Sequence, residues 1–231
     1  MTKTLNCIKR EMWDGFSTFE RIFMWSMVLL QIVVYCFVPD SIVGMACGIS
    51  GVICVVLTAK GRLSSYVFNF IQILTYMWIC WQYKLYLEFG ENIFYFVTCI
   101  YGVFAWRKNL TKNEDGTAEV CARHFKWWHW VLTAVVGIGG TIALGAFGEN
   151  VLGSTLPYVD AFTNVMALVA QMLMVWRFSE QWLVWIAIDV TCLCMFIALG
   201  QWSMVAMYVA WTINAIYGWY NWNKLCKKEA A

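Results

Sequence analysis

Eight long apolar segments, each bounded by charged or turn-forming residues, constrain this chain more than any other feature of its sequence. Because unpaired backbone groups are costly in lipid, segments of this length predict membrane-spanning helices. Only 13% of the 231 residues are charged and the mean hydropathy is +0.63, whereas a soluble domain has about 25% charged residues. The sequence therefore predicts an all-α polytopic membrane protein. The eight predicted spans are Ile22–Val38, Ile42–Thr58, Tyr66–Leu87, Asn92–Trp106, Trp127–Phe147, Tyr158–Trp176, Trp182–Leu199 and Ser203–Trp222.

The basic residues predict how these spans are oriented. With eight spans, 15 of the 16 Lys and Arg residues fall on one side of the membrane, and only Lys84 falls on the other. Loops rich in Lys and Arg stay in the cytoplasm, so we expect both termini there. Residues 1–21 then form a cytoplasmic segment, either a short amphipathic helix on the membrane surface or a disordered tail.

The sequence repeats itself at a fixed offset of 116 residues, the separation of residues 66 and 182. Without a gap, this offset places Tyr101-Gly102 on Tyr217-Gly218 and Trp106 on Trp222. It predicts two parallel three-helix bundles, with a central site expected at their interface. The predicted regions are the N-terminal segment 1–21, an extra helix 22–38, the first bundle 42–108, a cytoplasmic loop 109–126, a linker helix 127–147, the second bundle 158–224 and a cytoplasmic tail 225–231.

The seventh span carries two tryptophans and an acid on one face. Trp182, Trp185 and Asp189 occupy positions i, i+3 and i+7 of a helix. At about 1.5 Å per residue, Asp189 would lie about 10 Å below the helix end. A carboxylate is costly at that depth, so we expect Asp189 to belong to a site. Trp185 is expected to bind a ligand, whereas Trp182 is either a ligand or part of the interfacial aromatic belt.

Other spans also carry polar side chains on single faces. These sets are Asn69, Gln72 and Tyr76 in span three, Asp160, Asn164 and Gln171 in span six, and Asn214, Tyr217 and Asn221 in span eight. Each set either lines a hydrated cavity or forms hydrogen bonds between helices. The predicted substrate-binding residues are Trp182, Trp185, Asp189, Asn69, Gln72, Tyr76, Asn164, Gln171, Asn214 and Tyr217.

The sequence carries no signature of an enzyme. His124 and His129, the only histidines, lack the i, i+4 spacing and the glutamate of a zinc helix. The ten cysteines are scattered through apolar segments without a CxxC pair, and we expect free thiols. We therefore predict no catalytic residue, metal, cofactor or nucleic-acid partner; the partner that composition implies is the lipid bilayer.

The predicted site residues suit one class of solute. Tryptophan and tyrosine faces can enclose a flat ring, and a cationic ring gains cation–π attraction and charge compensation from Asp189. The amides can hydrogen-bond hydroxyl groups or a carboxamide. Because no Lys or Arg lies deep within a span, a phosphate would have no partner. The expected solute is small, flat, uncharged or cationic, and without phosphate.

Between about residues 42 and 224 the chain resembles the PnuC transporters of bacteria, which carry nicotinamide riboside. The resemblance rests on Glu180-x-Trp182-Leu183-x-Trp185-Ile186 followed by a polar residue at 189, on Tyr66-x-Phe68, on Leu85-Tyr86 and on Tyr101-Gly102-x-x-x-Trp106. The tryptophan span together with the Tyr-Gly ending is specific, whereas each alone is weak. Some relatives carry asparagine where this chain has Asp189, so the resemblance does not require a charge there.

The resemblance implies a fold similar to that of the SWEET sugar transporters, a homotrimer and a location in the bacterial inner membrane. It also implies uptake of nicotinamide riboside, a precursor of NAD, by facilitated diffusion, with a cytoplasmic ribosylnicotinamide kinase that traps the substrate. Alternating access is the expected mechanism. The alternative is a SWEET-like uniporter of another nucleoside, vitamin or sugar.

Overall fold

The computed structural model describes residues 11, 13–37, 41–113, 116–152 and 155–229, which form eight α-helices joined by short corners. The helices are α1 (Thr18–Phe37), α2 (Ile42–Ala59), α3 (Ser65–Gln82), α4 (Tyr86–Arg107), α5 (Trp127–Phe147), α6 (Pro157–Val175), α7 (Gln181–Ala198) and α8 (Trp202–Glu229). A π-helical turn, Gly148–Leu152, extends α5. By length and composition, five of the helices can cross a membrane, namely α1, α2, α5, α6 and α7. The predicted helical class and number of helices are confirmed for the described residues.

A small β-ribbon occupies the segment that was predicted to be a polar loop. Strands β1 (Leu110–Lys112) and β2 (Ala118–Val120) pair antiparallel, with Thr111 opposite Glu119. The Val120 N–H donates to the Gly61 carbonyl at 2.8 Å, which ties the ribbon to the corner between α2 and α3. The segment is therefore ordered by backbone hydrogen bonds that composition does not reveal.

Helix α3 ends earlier than predicted. Span three was predicted to run to Leu87, but α3 stops at Gln82 because Lys84 adopts a left-handed conformation (φ 58°) and the Leu85 N–H donates to the Cys80 carbonyl at 2.8 Å. This arrangement is a helix-terminating Schellman motif. As a consequence α4 begins at Tyr86 rather than at Asn92.

Helix α8 is longer than predicted. Span eight was predicted to end at Trp222, with a tail from residue 225, but the helix continues to Glu229. Leu225 and Cys226 are buried on this extension. The helix therefore continues to bury apolar side chains after charged residues appear in the sequence. This packing extends α8 beyond the predicted end of the span.

The chain divides into two compact units, Met1–Cys121 and Ala122–Ala231, and the division falls within the predicted loop 109–126. In the first unit, α1 packs on α2 through a core that includes Met24 and Leu57. Phe16 is buried in the same core, and Ser17 caps α1 by exchanging hydrogen bonds with Glu20. The predicted surface helix falls largely outside the described residues; within them, residues 13–15 form a turn.

The two units have the same corner geometry at the sequence offset of 116. Helices α3 and α7 each follow a residue in the left-handed conformation. This residue is Gly61 (φ 71°) before α3 and Arg177 (φ 66°) before α7. A second left-handed residue follows each of these helices, Lys84 (φ 58°) after α3 and Gly200 (φ 68°) after α7. Glycine adopts this conformation without a steric cost, whereas Lys84 and Arg177 pay about 1–2 kcal/mol. Equivalent positions in the two units therefore adopt the same backbone conformation despite different residues.

Candidate substrate site

Asp189 lies at the middle of α7, in the second unit. It is the ninth of 18 residues in the helix, which places it about 12 Å from the first residue. Its side chain is only 4% exposed. Among the residues that the structure describes, no group donates a hydrogen bond to it and no cation pairs with it. A carboxylate in the middle of a membrane span is costly, so Asp189 stays a candidate for the predicted site.

Trp185 shares the helical face of Asp189 and is only partly buried. It packs against a hydrophobic cluster of α6 and α7 that includes Ala170, Leu173 and Ile188. One side of the indole is therefore supported by the core of the second unit. This support fixes the ring beside Asp189 without enclosing it.

Trp182 is enclosed by its own unit. Its ring is 4% exposed and makes an edge-to-face contact with Trp222, with ring centroids 6.0 Å apart. The indole also covers Gly218, where an added Cβ would lie 2.6 Å from a ring carbon. The indole nitrogen is buried and has no hydrogen-bond partner among the described residues. In this conformation Trp182 is a packing residue, and its predicted role as a ligand stays a prediction.

The first unit repeats this aromatic contact 116 residues earlier. Tyr66 makes an edge-to-face contact with Trp106, with ring centroids 5.0 Å apart, and its ring covers Gly102. The Tyr66 hydroxyl, like the Trp182 indole nitrogen, is buried without a partner in the described part of the chain. The Tyr-Gly and Trp motifs in the sequence are therefore explained by close helix packing.

The three predicted residues of α3 differ in their surroundings. Asn69 donates to the Cys99 thiol at 3.1 Å. The Gln72 amide lies against α2, where an added Cβ on Gly51 would be 2.9 Å from its nitrogen. Both amides are half-buried, whereas Tyr76 is 37% exposed. Asn69 and Gln72 thus contact neighbouring helices of their own unit, as helix–helix hydrogen bonding or close packing requires.

The predicted residues of α6 and α8 also separate into exposed and buried groups. Asn164 is exposed and donates to the backbone carbonyl of Asp160 at 2.9 Å. Gln171 and Asn214 are both 5% exposed, and Tyr217 is half-buried. Each of these last three takes part in further interactions within the structure. The second unit therefore contains Trp185, Asp189, Gln171 and Asn214 in buried or partly buried positions.

Residues 41–224 match the family model described as nicotinamide mononucleotide transporter, which covers most of the chain. The chain belongs to the PnuC family. It is 33% identical to the nicotinamide riboside transporter PnuC of Neisseria mucosa over 230 residues, covering 96% of this chain and 87% of that protein. It is 34% identical to the Haemophilus influenzae PnuC over 226 residues, covering 96% of both chains.

A solved structure of the PnuC family has the same fold. The crystal structure of the vitamin B3 transporter PnuC superimposes with a TM-score of 0.80 at 31% sequence identity, covering 97% of this chain and 98% of that one. These relatives are transporters and not enzymes. Together with the apolar helices, the family shows that this chain is a multi-pass membrane protein.

Three further residues lie on or beside the α7 face that carries Asp189. Cys192 and Phe196 continue the face of Asp189 along α7, and Tyr208 of α8 packs against the same hydrophobic cluster. The Phe196 and Tyr208 rings stack at 5.4 Å with an interplanar angle of 22°. Helical spacing alone would have identified Cys192 and Phe196. Tyr208 shows no such signal, because it depends on how α8 packs on α7.

The histidines lie at the start of the second unit. The His124 ring contacts the Glu180 carboxylate at 3.1 Å, beside the first residue of α7. The backbone of Arg123 exchanges hydrogen bonds with Arg177 and Ser179, which holds the corner before α7. His129 stacks on Trp128, with ring centroids 3.6 Å apart. These contacts anchor the segment before α5 and the beginning of α7.

The arrangement on α7 can bind a flat cation. Trp185 offers an aromatic surface, and Asp189 offers a carboxyl group on the same face, about 6 Å further along the helix axis. A positively charged ring placed against Trp185 gains cation–π attraction and compensates the carboxylate. The geometry of the second unit therefore favours a cationic aromatic solute.

Proposed function

We propose that this chain carries nicotinamide riboside across the bacterial inner membrane. The observation that supports the proposal is Asp189, a buried carboxylate without hydrogen-bond or ion-pair partners in the described residues, on the same helical face as Trp185. Nicotinamide riboside is a pyridinium nucleoside, so its ring supplies the positive charge and the flat surface that such a site needs. The relatives of this chain in Neisseria mucosa and Haemophilus influenzae are both named nicotinamide riboside transporters.

Nicotinamide mononucleotide is the second candidate, because the matching family model is described as its transporter. The mononucleotide adds a phosphate to the riboside. Helices α2, α3, α5, α6 and α7 contain no Lys or Arg, and a phosphate buried without a basic partner is costly. The sequence of the spans therefore favours the riboside over its phosphate.

Isothermal titration calorimetry of the purified protein separates these two substrates. We expect the riboside to bind and the mononucleotide to bind at least tenfold more weakly. Equal affinity for both would refute the substrate assignment. Competition with thiamine, uridine and glucose tests the alternative of a SWEET-like uniporter of another nucleoside, vitamin or sugar; displacement of the riboside by one of these would favour that alternative.

We further propose that transport is facilitated diffusion by alternating access, in which the site opens to one side of the membrane at a time. A cytoplasmic ribosylnicotinamide kinase then traps the substrate. Liposomes that contain this protein should equilibrate the riboside without a pH or sodium gradient. The liposomes should accumulate labelled riboside beyond equilibrium only when the kinase and ATP are enclosed inside them. Accumulation driven by an imposed ion gradient alone would contradict facilitated diffusion. The membrane potential must be clamped, because the substrate is a cation.

The proposed architecture comprises two parallel three-helix repeats, α2–α4 and α6–α8, with α5 as linker and α1 as an additional helix. The matching corners and aromatic contacts at an offset of 116 support the repeat. We also propose a homotrimer, which the PnuC resemblance implies, and cytoplasmic termini, which the distribution of Lys and Arg supports. Light scattering of the purified protein tests the trimer, and reporter fusions at each terminus test the orientation.

A further inference from the structure

The corner between α2 and α3 places a buried cation at the beginning of α3. Arg62 lies three residues before Ser65, the first residue of α3, and Ser64 is the N-cap of that helix. The Arg62 side chain is 0% exposed. A helix N-terminus carries a partial positive charge that favours anions. The guanidinium and the helix dipole therefore add positive charge at the same end of the first unit.

Three polar atoms at this corner have no hydrogen-bond partner in the described part of the chain. Nη2 of Arg62 donates to the Asp14 carbonyl at 2.9 Å, but Nε and Nη1 of the same guanidinium are buried without an acceptor. The Ser64 hydroxyl is also buried without a partner, and it does not cap α3. Buried donors without acceptors are costly, most of all on a cation. These donors call for an acceptor that carries negative charge.

No acid compensates the charge of Arg62 among the residues that the structure describes. Glu20 of α1 forms its ion pair with Lys60, at 2.9 Å. Asp14 contacts Arg62 through its backbone carbonyl and not through its carboxylate. Glu119 of the β-ribbon has interactions of its own, and no described carboxylate forms an ion pair with Arg62. The compensating charge must therefore come from another molecule.

The corresponding corner of the second unit has a different chemistry. At an offset of 116, Phe178 corresponds to Arg62 and Glu180 corresponds to Ser64. A phenyl ring fills the position of Arg62 in one unit, so the packing of the corner does not require a cation. The Glu180 carboxylate lies at the N-cap of α7, where it complements the helix dipole. The second unit thus has its own acid at the helix start, and the first unit has a cation and a hydroxyl instead.

We propose that the corner between α2 and α3 binds a phosphate group, with Arg62 and Ser64 as hydrogen-bond donors. Phosphate oxygens accept from Nε and Nη1 of the guanidinium and from the serine hydroxyl, and their charge compensates the cation. The N-terminus of α3 adds to the attraction. The Asp14 carbonyl and the Phe16 ring cover the guanidinium. The phosphate therefore enters as the turn at residues 13–16 shifts.

The surroundings of the corner favour a phospholipid headgroup as the source of the phosphate. The corner follows α2, one of the helices that can cross a membrane. Beside the covering turn, Trp13, Phe19 and Ile22 are 42%, 51% and 64% exposed. Exposed aromatic and aliphatic side chains at the end of a span lie in the membrane interface. Anionic phospholipids present their phosphates at this depth. Inorganic phosphate from the solvent is the other source of the same chemistry.

Thermal unfolding in dodecyl maltoside, a detergent without phosphate, measures this binding. The midpoint of unfolding is recorded with dioleoylphosphatidylglycerol, with inorganic phosphate and with neither, at constant ionic strength. Arg62→Phe introduces the side chain that the second unit has at this position, and Ser64→Ala removes one donor. Lys108→Gln is the matched control, because Lys108 is an exposed cation of the same unit.

We expect the wild-type midpoint to rise by about 3–6 °C when the phosphatidylglycerol concentration is ten times its dissociation constant. Arg62→Phe should lose this rise, and Ser64→Ala should bind the lipid about three- to tenfold more weakly. Lys108→Gln should respond as the wild-type protein does. A rise with the lipid alone would support the site and assign it to a headgroup, whereas a rise with inorganic phosphate as well would support a site for phosphate from either source.

Two results would overturn the phosphate site directly. One is a wild-type midpoint that neither ligand raises, and the other is an equal rise in Arg62→Phe. If Arg62→Phe does not fold, an undiminished response of Ser64→Ala overturns the proposal instead. A loss in Lys108→Gln as large as that in Ser64→Ala would show nonspecific attraction between the lipid and surface cations, which also contradicts a built site.

Discussion

Replacing Asp189 with isoleucine should make the unliganded protein more stable and abolish substrate binding. The wild-type carboxylate is 4% exposed and receives no hydrogen bond from the described residues. Its counterpart in the first unit is Ile73, which is 3% exposed in the middle of α3. The same helical position therefore already accommodates an aliphatic side chain in one of the two units.

The size of the effect follows from the missing partners. A buried polar group without a hydrogen bond costs about 1–3 kcal/mol, and more if it is charged. A chain of this length changes its midpoint of unfolding by about 2–4 °C per kcal/mol. We therefore expect Asp189→Ile to raise the midpoint by about 2–12 °C. Asp189→Asn should raise it less, because the amide also requires hydrogen bonds, and it should weaken binding less than isoleucine does.

Thermal unfolding in detergent, with and without nicotinamide riboside, measures both effects. The wild-type midpoint should rise with the ligand, because a ligand that binds only the folded protein stabilises it, whereas Asp189→Ile should show no ligand-dependent rise. Asp160→Asn is the control, since Asp160 is an exposed acid in the first turn of α6 and its removal should not stabilise the protein. A lower midpoint for Asp189→Ile would show that the carboxylate has partners. A retained ligand response would show that it does not face the substrate.

Trp185→Ala should weaken riboside binding at least tenfold, about 1.4 kcal/mol; unchanged calorimetric affinity in a folded variant would assign the ring to packing alone. Gly218→Ala should lower the unfolding midpoint, because its methyl group would lie 2.6 Å from a buried indole ring, at a cost of about 1–3 kcal/mol. Gly139→Ala in α5 meets no atom within 4 Å and should be neutral or stabilising; equal effects would argue against the close contact. Lys84→Gly should stabilise by about 1 kcal/mol and Gly200→Lys destabilise by a similar amount, as both positions have positive φ. Opposite signs would contradict the left-handed corners.

The sequence was informative about the fold where hydrophobicity decides the structure. The linker helix Trp127–Phe147 has the predicted bounds, because polar residues flank its apolar segment. Prediction failed where backbone conformation decides. Nothing in the composition around Lys84 indicates that a lysine takes a left-handed conformation and ends α3. The β-ribbon formed by Leu110–Lys112 and Ala118–Val120 likewise depends on pairing between strands that are too short to show a pattern.

Helical periodicity identified part of the candidate site. The spacing of Trp185 and Asp189 correctly places them on one face of α7, at depths that follow from counting residues. Spacing could not show that Trp182, on the same face, packs over Gly218 and against the Trp222 ring. It also could not show Tyr208, whose position depends on contacts between two helices. Periodicity gives the face of one helix, but the neighbouring helix decides which side chains on that face stay accessible.

Positions that lie 116 residues apart in the sequence, which the proposed repeat makes equivalent, separate packing from chemistry. Positions with matching roles in the two units, such as Gly102 and Gly218 beneath an aromatic ring, are those where helices approach closely. The positions on the α7 face differ between the two units. Trp185 corresponds to Asn69, Asp189 to Ile73 and Phe196 to Cys80. Ile73 satisfies the packing of its position, so the acid at 189 is not explained by the fold. Because Asp189 is buried without a hydrogen-bond or ion-pair partner among the described residues, its presence in the second unit calls for a reason other than stability, and the proposed binding of a cationic substrate would be such a reason.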